Sequence, residues 1–150
     1  AFSTVAAEAA PATATGTARA RILKQVTITN TSDLDFGTIV PATAAGTVGV
    51  STGGARTCGA GLTCTGTTSA ANFNITGTVG TVVTVTAPAS VTMTSGTNSM
   101  TATLTRSAAT VTLAGGAVNG TVQVGGTLNV AATQADGTYS GTFNVTIDYQ

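Results

Sequence analysis

Residues Ala12 to Thr29 read ATATGTARARILKQVTIT, and this stretch alternates between two kinds of side chain. Its even-numbered positions carry mainly small or apolar residues, whereas its odd-numbered positions carry mainly Thr and Arg. Alternation with a period of two is typical of a β-strand that has one apolar and one polar face. At about 3.3 Å per residue, one strand of this length would span roughly 60 Å, which is too long for one side of a small domain. The pattern therefore predicts more strand at this end than the chain's own fold can use.

The composition of the 150 residues favours a single β-rich domain. Thr is the commonest residue, 19 residues are Gly, and aromatic residues make up only 4% of the chain. Charged residues make up 7%, the formal net charge is zero, and the chain contains neither His nor Trp. A freely soluble monomer normally carries a net charge of several units. We therefore expect this protein to take part in an assembly.

The two cysteines, Cys58 and Cys64, lie close together in the segment RTCGAGLTCTG. Two thiols alone cannot form a structural zinc site, which needs four nitrogen or sulfur ligands. We predict a disulfide that closes a small local loop, with free thiols as the alternative, and such a bond indicates an oxidising compartment. The opening AFSTVAAEAA is typical of a mature exported chain whose signal peptide has been removed, and no apolar run is long enough to predict a membrane span.

Between the two ends, short predicted strands alternate with turns, and no segment predicts a helix. GTVQVGG and TLNVAAT, residues 120–133, read as two separate strands. The most regular alternation is in GTYSGTFNVTIDYQ, residues 137–150. An apolar face opposite a polar face is typical of an antiparallel sandwich, so the predicted fold class is an all-β, immunoglobulin-like antiparallel β-sandwich, with a closed barrel as the alternative. The residues on the apolar face of the last strand are Tyr139, Gly141, Phe143, Val145, Ile147 and Tyr149.

The two ends of the chain predict that this sandwich is incomplete. The sequence stops one residue after Tyr149, so no closing strand follows the most regular apolar face. At the other end, the alternating arm runs without turn residues into a first strand predicted around Leu23 to Asn30. A sandwich without its last strand exposes an apolar groove and an open sheet edge unless another chain covers them. We therefore predict an N-terminal donor-strand arm at residues 1–22 and an incomplete sandwich domain at residues 23–150.

These features resemble the subunits of chaperone-usher pili and related secreted fibres. The resemblance rests on the alternating Ala/Thr arm, on the pattern Y-x-G-x-F-x-V-x-I-x-Y before a single last residue, and on the penultimate Tyr149. The segments ADGTYSGTF and LDFGTIVP also resemble a family of Gly/Thr-rich secreted bacterial domains that is similar to the archaic and spore-coat-type pilins. The resemblance covers both ends of the chain and extends to the middle only in general character.

The resemblance implies polymerisation head to tail by donor-strand exchange, in which the arm of one subunit completes the sandwich of the next. The implied partners are identical subunits and, during assembly, a periplasmic chaperone and an outer-membrane usher, with Tyr149 helping to engage the chaperone. The implied location is an extracellular, cell-surface filament that a Gram-negative bacterium exports through its periplasm. The implied donor-strand residues are Ala10, Ala12, Ala14, Gly16, Ala18 and Ala20, and the implied acceptor-groove residues are Phe143, Val145, Ile147 and Tyr149.

The residues give little support to an enzyme or to a ligand-binding protein. Because the chain has no His and no Ser beside a plausible partner, we expect no catalytic site and no cofactor. Asp33 and Asp35 are too few to hold calcium, since the other acidic residues are dispersed, and no metal site is expected. The basic cluster of Arg19, Arg21 and Lys24 has no aromatic neighbours of the kind that bind nucleic acid, and it predicts no membrane partner.

Two non-enzymatic alternatives to a fibre stay open. Repeated T-x-T segments, such as Thr101, Thr103 and Thr105, would form a flat ice-binding or sugar-binding face, although their spacing along the chain is irregular. A secreted adhesin domain that binds a surface or a carbohydrate would instead complement itself by folding the arm back onto its own groove. The size of the native particle distinguishes these arrangements, because only exchange between chains produces filaments.

Overall fold

A computed structural model describes residues 10–150, and these residues form β-strands and no helix. Residues 1–9, the first part of the predicted arm, lie outside the described residues. No helix in the described part of the chain is therefore long and apolar enough to cross a membrane. The strands are β1 (Thr27–Ser32), β2 (Thr38–Val40), β3 (Gly46–Val50), β4 (Arg56–Cys58), β5 (Thr63–Thr65), β6 (Ala71–Thr76), β7 (Val82–Thr86), β8 (Ser90–Ser95), β9 (Asn98–Arg106), β10 (Thr110–Thr112), β11 (Gly120–Val130) and β12 (Thr146–Tyr149).

The strands form three antiparallel sheets, of which the largest has seven strands. Its central strand is β11, which pairs with β6 over Gly120–Val124 and then with β3 over Gly126–Val130. β9 pairs with β11 over Val124–Asn129, and β8 pairs in turn with β9. β1 lies beyond β6 and β4 lies beyond β3. The other sheets are a three-stranded sheet in the order β10-β7-β12 and a two-stranded sheet of β2 and β5.

Two clusters of apolar side chains fill the space beneath the seven-stranded sheet, and the resulting sandwich-like arrangement confirms the predicted fold class. Leu34, Leu104 and Phe143 are partly buried and pack against both clusters. The first cluster joins the seven-stranded sheet to the three-stranded sheet, and its buried members are Ala71, Phe73, Ile75, Val83, Val85, Leu113, Val122, Val124 and Ile147. The second cluster extends towards the two-stranded sheet, and its buried members are Phe36, Val48, Val50, Val91, Ala102, Leu128 and Val130.

One central strand replaces two predicted ones. Residues 120–130, which include the glycine pair Gly125 and Gly126, form the continuous strand β11, so the prediction of two separate strands over this range is wrong. A Cβ atom at Gly125 would collide with the carbonyl oxygen of Val50, and one at Gly126 would lie 2.5 Å from the carbonyl oxygen of Thr103. The two glycines are needed because the neighbouring backbones come close where β11 passes from β6 to β3.

Other strand boundaries differ from the predictions for local reasons. The first strand begins at Thr27 rather than at Leu23, because the amide of Lys24 donates to the hydroxyl of Thr78 and not to a neighbouring strand. The three-residue strands β4 and β5 lie on either side of the turn between the cysteines, where the sequence predicts only a loop. Strands this short carry too few residues to show an alternating pattern.

The predicted disulfide between Cys58 and Cys64 is confirmed, with the two Cα atoms 6.0 Å apart. It does more than close a loop, because Cys58 lies in β4 of the seven-stranded sheet and Cys64 lies in β5 of the two-stranded sheet. The guanidinium of Arg56 reinforces this connection by donating to the carbonyl oxygen of Thr65 at 2.7 Å. The bond therefore attaches the smallest sheet to the edge of the largest.

Candidate functional site

The carboxyl-terminal segment shows the predicted alternation of buried and exposed side chains. Ile147 is buried, Phe143, Val145 and Tyr149 are half-buried, and all four predicted acceptor-groove residues belong to or pack against the first core cluster. The exposed residues that alternate with them are Asn144, Thr146 and Asp148.

The prediction of one continuous strand from Tyr139 to Tyr149 is wrong. Ser140 forms an isolated bridge with Thr94 of β8, and only Thr146–Tyr149 pair with β7. The segment passes from an edge of the seven-stranded sheet to an edge of the three-stranded sheet, so the residues between cannot pair with either strand. Among the described residues, no backbone hydrogen bond is made by Gly141–Val145.

One edge of β12 is open. The amide of Gln150 donates to the carbonyl oxygen of Val82, so alternate residues of the ladder, Thr146 and Asp148, exchange hydrogen bonds with β7. The amide and carbonyl groups of Ile147 therefore point to the opposite edge, and so do those of Tyr149. Within residues 10–150, no strand pairs with that edge. Apolar side chains facing the core beside unpaired backbone groups make this a candidate groove for an added strand.

The described part of the arm is exposed and belongs to no strand. Each of residues 10–22 is exposed, and apart from its chain neighbours no described residue lies within 4 Å of the position a Cβ would take at Gly16. Ile22 is 88% exposed. The predicted donor residues Ala10, Ala12, Ala14, Gly16, Ala18 and Ala20 are all among these exposed residues.

Three hydrogen bonds fix the point at which the arm joins the domain. The amide of Lys24 donates to the hydroxyl oxygen of Thr78 at 2.7 Å. The hydroxyl of Tyr149 donates to the carbonyl oxygen of Lys24 at 2.5 Å and accepts from the amide of Thr78 at 2.9 Å. A Cβ at Gly77 would lie 2.8 Å from the Tyr149 hydroxyl oxygen, so glycine leaves the room that this arrangement needs. We call the group Lys24, Thr78 and Tyr149 the Tyr149 latch.

The Tyr149 latch places the base of the arm beside the carboxyl end of β12. The sequence does not indicate Lys24 and Thr78 as partners of Tyr149, because Lys24 is 125 residues away from Tyr149 in the chain and no local pattern joins them. The alternating pattern nevertheless indicates that the Tyr149 ring faces the core, where it packs against the first cluster.

An open cleft of about 500 Å³ lies at the other end of the carboxyl-terminal segment. It separates β8 from residues 142–144, and we call it the β8 cleft. Its apolar surface comes from Pro88, Val91 and Phe143, and the Phe143 ring packs edge to face on Phe73 with the ring centroids 6.5 Å apart. Neither Asp33 and Asp35 nor the basic cluster of the arm lines it.

The described residues contain no cluster of three or more side chains suited to hold a metal ion. A carboxylate oxygen of Asp35 accepts a hydrogen bond from the amide of Gly37 at 2.8 Å, which is the geometry of a local turn. Asp33 is exposed next to it.

A protein-family model with the description "Domain of unknown function (DUF4402)" matches residues 26–149. The matched range begins just after Lys24 and runs to Tyr149, so it spans all three sheets and excludes the arm. No curated protein and no solved structure gave a significant match.

Proposed function

We propose that this chain, which belongs to the DUF4402 family, is a structural subunit of an extracellular fibre that polymerises head to tail by donor-strand exchange. In this proposal the arm of one subunit adds a strand to the groove of the next. The observation that carries the proposal is the open edge of β12, where half-buried apolar side chains lie beside backbone groups that have no partner within residues 10–150.

Backbone hydrogen bonds would supply most of the attachment. Each ladder bond contributes on the order of 1 kcal/mol net, and the unpaired groups available to an added strand are those of Ile147, Tyr149 and the preceding residues 141–145. The even-numbered side chains of the arm are mainly Ala and Gly, and each buried methyl adds only about 0.8 kcal/mol. The odd-numbered Thr and Arg side chains would face solvent. The groove would thus be closed chiefly by pairing of the backbone.

The exposed arm favours exchange between chains over self-complementation. An arm folded back onto its own groove would bury its even-numbered residues, whereas all of those from Ala10 to Ile22 are exposed. The Tyr149 latch also sets the arm's point of departure at the carboxyl end of β12. Beyond that point, the described residues of the arm, 10–22, are exposed and belong to no strand.

The position of the latch also supports one direction for the added strand. When equally oriented subunits stack end to end, an arm that leaves one subunit at the Tyr149 end enters the next subunit at the opposite, Phe143 end. The arm then runs antiparallel to β12, with its base near Phe143 and Ala10 towards Tyr149. This contact joins two different surfaces and does not close on itself, so it produces a filament.

A fibre outside the cell agrees with the disulfide, because such bonds persist in oxidising compartments. A periplasmic chaperone would cover the groove until an outer-membrane usher exchanges it for the arm of the next subunit. The groove needs such protection, since an open apolar sheet edge promotes uncontrolled association.

Deletion of Ala1 to Ala20 tests the proposal. The truncated chain should fold, because the described residues it loses are exposed and belong to no strand, but it should form no filaments. Negative-stain electron microscopy and electrophoresis without boiling measure the assembly, with the complete chain as the control. Adding a synthetic peptide of residues 1–22 should stabilise the truncated domain against urea. Filaments of normal length from the truncated chain would contradict the proposal.

A further inference from the structure

We infer that Ile22 of one subunit is an apolar anchor that seats in the β8 cleft of the next subunit. The inference rests on the proposed function and adds the side-chain contact that fixes the register of the arm. It assigns a role to a residue outside the predicted donor set.

Ile22 is unusual because it is a large apolar side chain that its own domain leaves uncovered. It is 88% exposed, more than Val40, Val79 or Val118, which are the other large apolar residues exposed in the described chain. Its even number places it on the same face as Ala18 and Ala20 if the arm is a strand. Ile22 is thus the bulkiest described side chain on the face that would enter the neighbour's groove, and it lies at the base of the arm.

The distance along the chain limits where Ile22 can act. It lies two residues before Lys24, which the Tyr149 latch holds to the domain, so it can extend only about 7 Å beyond that fixed point. Ile22 must therefore lie at the junction between consecutive subunits. Because the arm enters the neighbour at the Phe143 end, the junction brings Ile22 to the end of the groove that contains the β8 cleft.

The β8 cleft offers both apolar surface and unpaired backbone. Val91 and Phe143 line it, and none of its lining residues is charged. Thr94 directs its amide and carbonyl away from β9 to bond with Ser140, so Thr92 and Ser90 direct theirs to the same outer edge. The Gly141 backbone packs against the Thr92 carbonyl oxygen, whereas Ser90 lines the open part of the cleft. Across the cleft, residues 142–144 have no backbone partners among the described residues. An extended segment carrying one large apolar side chain matches this surface.

Cysteine cross-linking tests the predicted contact in assembled fibres. We expect the double variant Ile22→Cys with Asn144→Cys to give fibres that, after mild oxidation, run as a ladder of covalent oligomers in boiled, non-reduced samples. Reductant should collapse the ladder to monomer. The native cysteines do not interfere, since they are bonded to each other. The matched control, Arg21→Cys with Asn144→Cys, places the thiol on the opposite face of the arm and should give no ladder.

A second measurement tests the same contact if the double cysteine variant does not assemble. Ile22→Ser should shift the equilibrium between fibre and monomer towards monomer by about tenfold or more, the effect expected for exposing one isoleucine side chain. Arg21→Ser should leave it unchanged. Normal fibres without a cross-link, or Ile22→Ser fibres as stable as the parent, would overturn the anchor and leave donor-strand exchange standing. A parent chain that assembles equally well without its arm would overturn donor-strand exchange itself.

Discussion

The Tyr149 hydroxyl joins the two ends of the described domain through hydrogen bonds to Lys24 and Thr78. The resemblance to pilin subunits predicts that Tyr149 helps to engage an assembly chaperone, and that role stays a prediction. In the structure its hydroxyl already has two internal partners, so a chaperone would contact the ring or the backbone rather than a free hydroxyl.

Replacing Tyr149 by Phe should remove these two hydrogen bonds and keep the packing of the ring on the first core cluster. Because a typical hydrogen bond contributes about 1 kcal/mol net, the free energy of unfolding should fall by about 1–2 kcal/mol. Urea denaturation of the arm-deleted domain measures this change without interference from assembly. An unchanged midpoint would show that the latch does not stabilise the domain.

Gly125 and Gly126 show what a residue type can and cannot predict. Glycine pairs commonly mark turns, and the sequence gives no reason to read this pair otherwise. In the structure the pair lies inside β11, where carbonyl oxygens of Val50 and Thr103 approach the backbone. Those oxygens belong to strands far away in the chain, so only the tertiary fold shows that the glycines allow close approach rather than a change of direction.

Among the elements, the β4–β5 connection depends on its disulfide most directly. Reduction of Cys58–Cys64 should lower the free energy of unfolding by about 2 kcal/mol, the value expected from chain entropy for so short a loop. Urea denaturation with and without reductant measures the loss. Existing fibres should survive reduction, because added strands rather than sulfur would join the subunits. Disassembly by reductant alone would contradict this expectation.

The arm's register is tested by one substitution on each of its faces. Ala14→Asp would place an unpaired charge in an apolar groove, and several kcal/mol of desolvation should block assembly. Thr15→Asp would keep its charge in water and should assemble normally. Filament yield by electron microscopy compares the two variants. Assembly blocked at Thr15 but tolerated at Ala14 would show that the two faces are reversed, since a shift of one residue exchanges them.

The carboxyl-terminal segment shows what periodicity in the sequence can and cannot predict. The alternation correctly predicts which side chains of residues 143–149 face the core. It does not predict that backbone pairing begins only at Thr146, because pairing depends on which strand lies alongside. β8 is an edge strand of the seven-stranded sheet and β12 is an edge strand of the three-stranded sheet. After the single bridge at Ser140, residues 141–145 pair with neither strand. Side-chain direction is a local property, whereas ladder partners are not.

At the scale of the whole molecule, composition and period are sufficient to predict an all-β antiparallel fold. Composition and period do not predict the order of strands, the division into three sheets or the Tyr149 latch, because each depends on contacts between distant parts of the chain. The candidate site divides in the same way. The alternation of side chains predicts its apolar face, but the open edge of β12 and the β8 cleft are formed only by the packing of the sheets.

The sparse charge of the chain, 7% of residues with a formal net charge of zero, agrees with a surface made for association. Added strands pair through backbone groups that carry no net charge. We therefore expect such contacts to depend little on ionic strength, unlike contacts between charged surfaces.

The Tyr149 latch has a mechanical consequence for a fibre. Tension pulling on the arm reaches the domain at Lys24, where the latch ties it to the last residues of β12. Beyond that tie, the load passes along β1, whose ladder with β6 runs lengthwise from Thr27 to Ser32. A pull parallel to the strands strains the bonds of a ladder together, whereas a perpendicular pull opens them one at a time. Tension on the arm would thus load the β1–β6 ladder in shear. A filament of such subunits would resist stretching because the hydrogen bonds of β1 in each domain would have to break together.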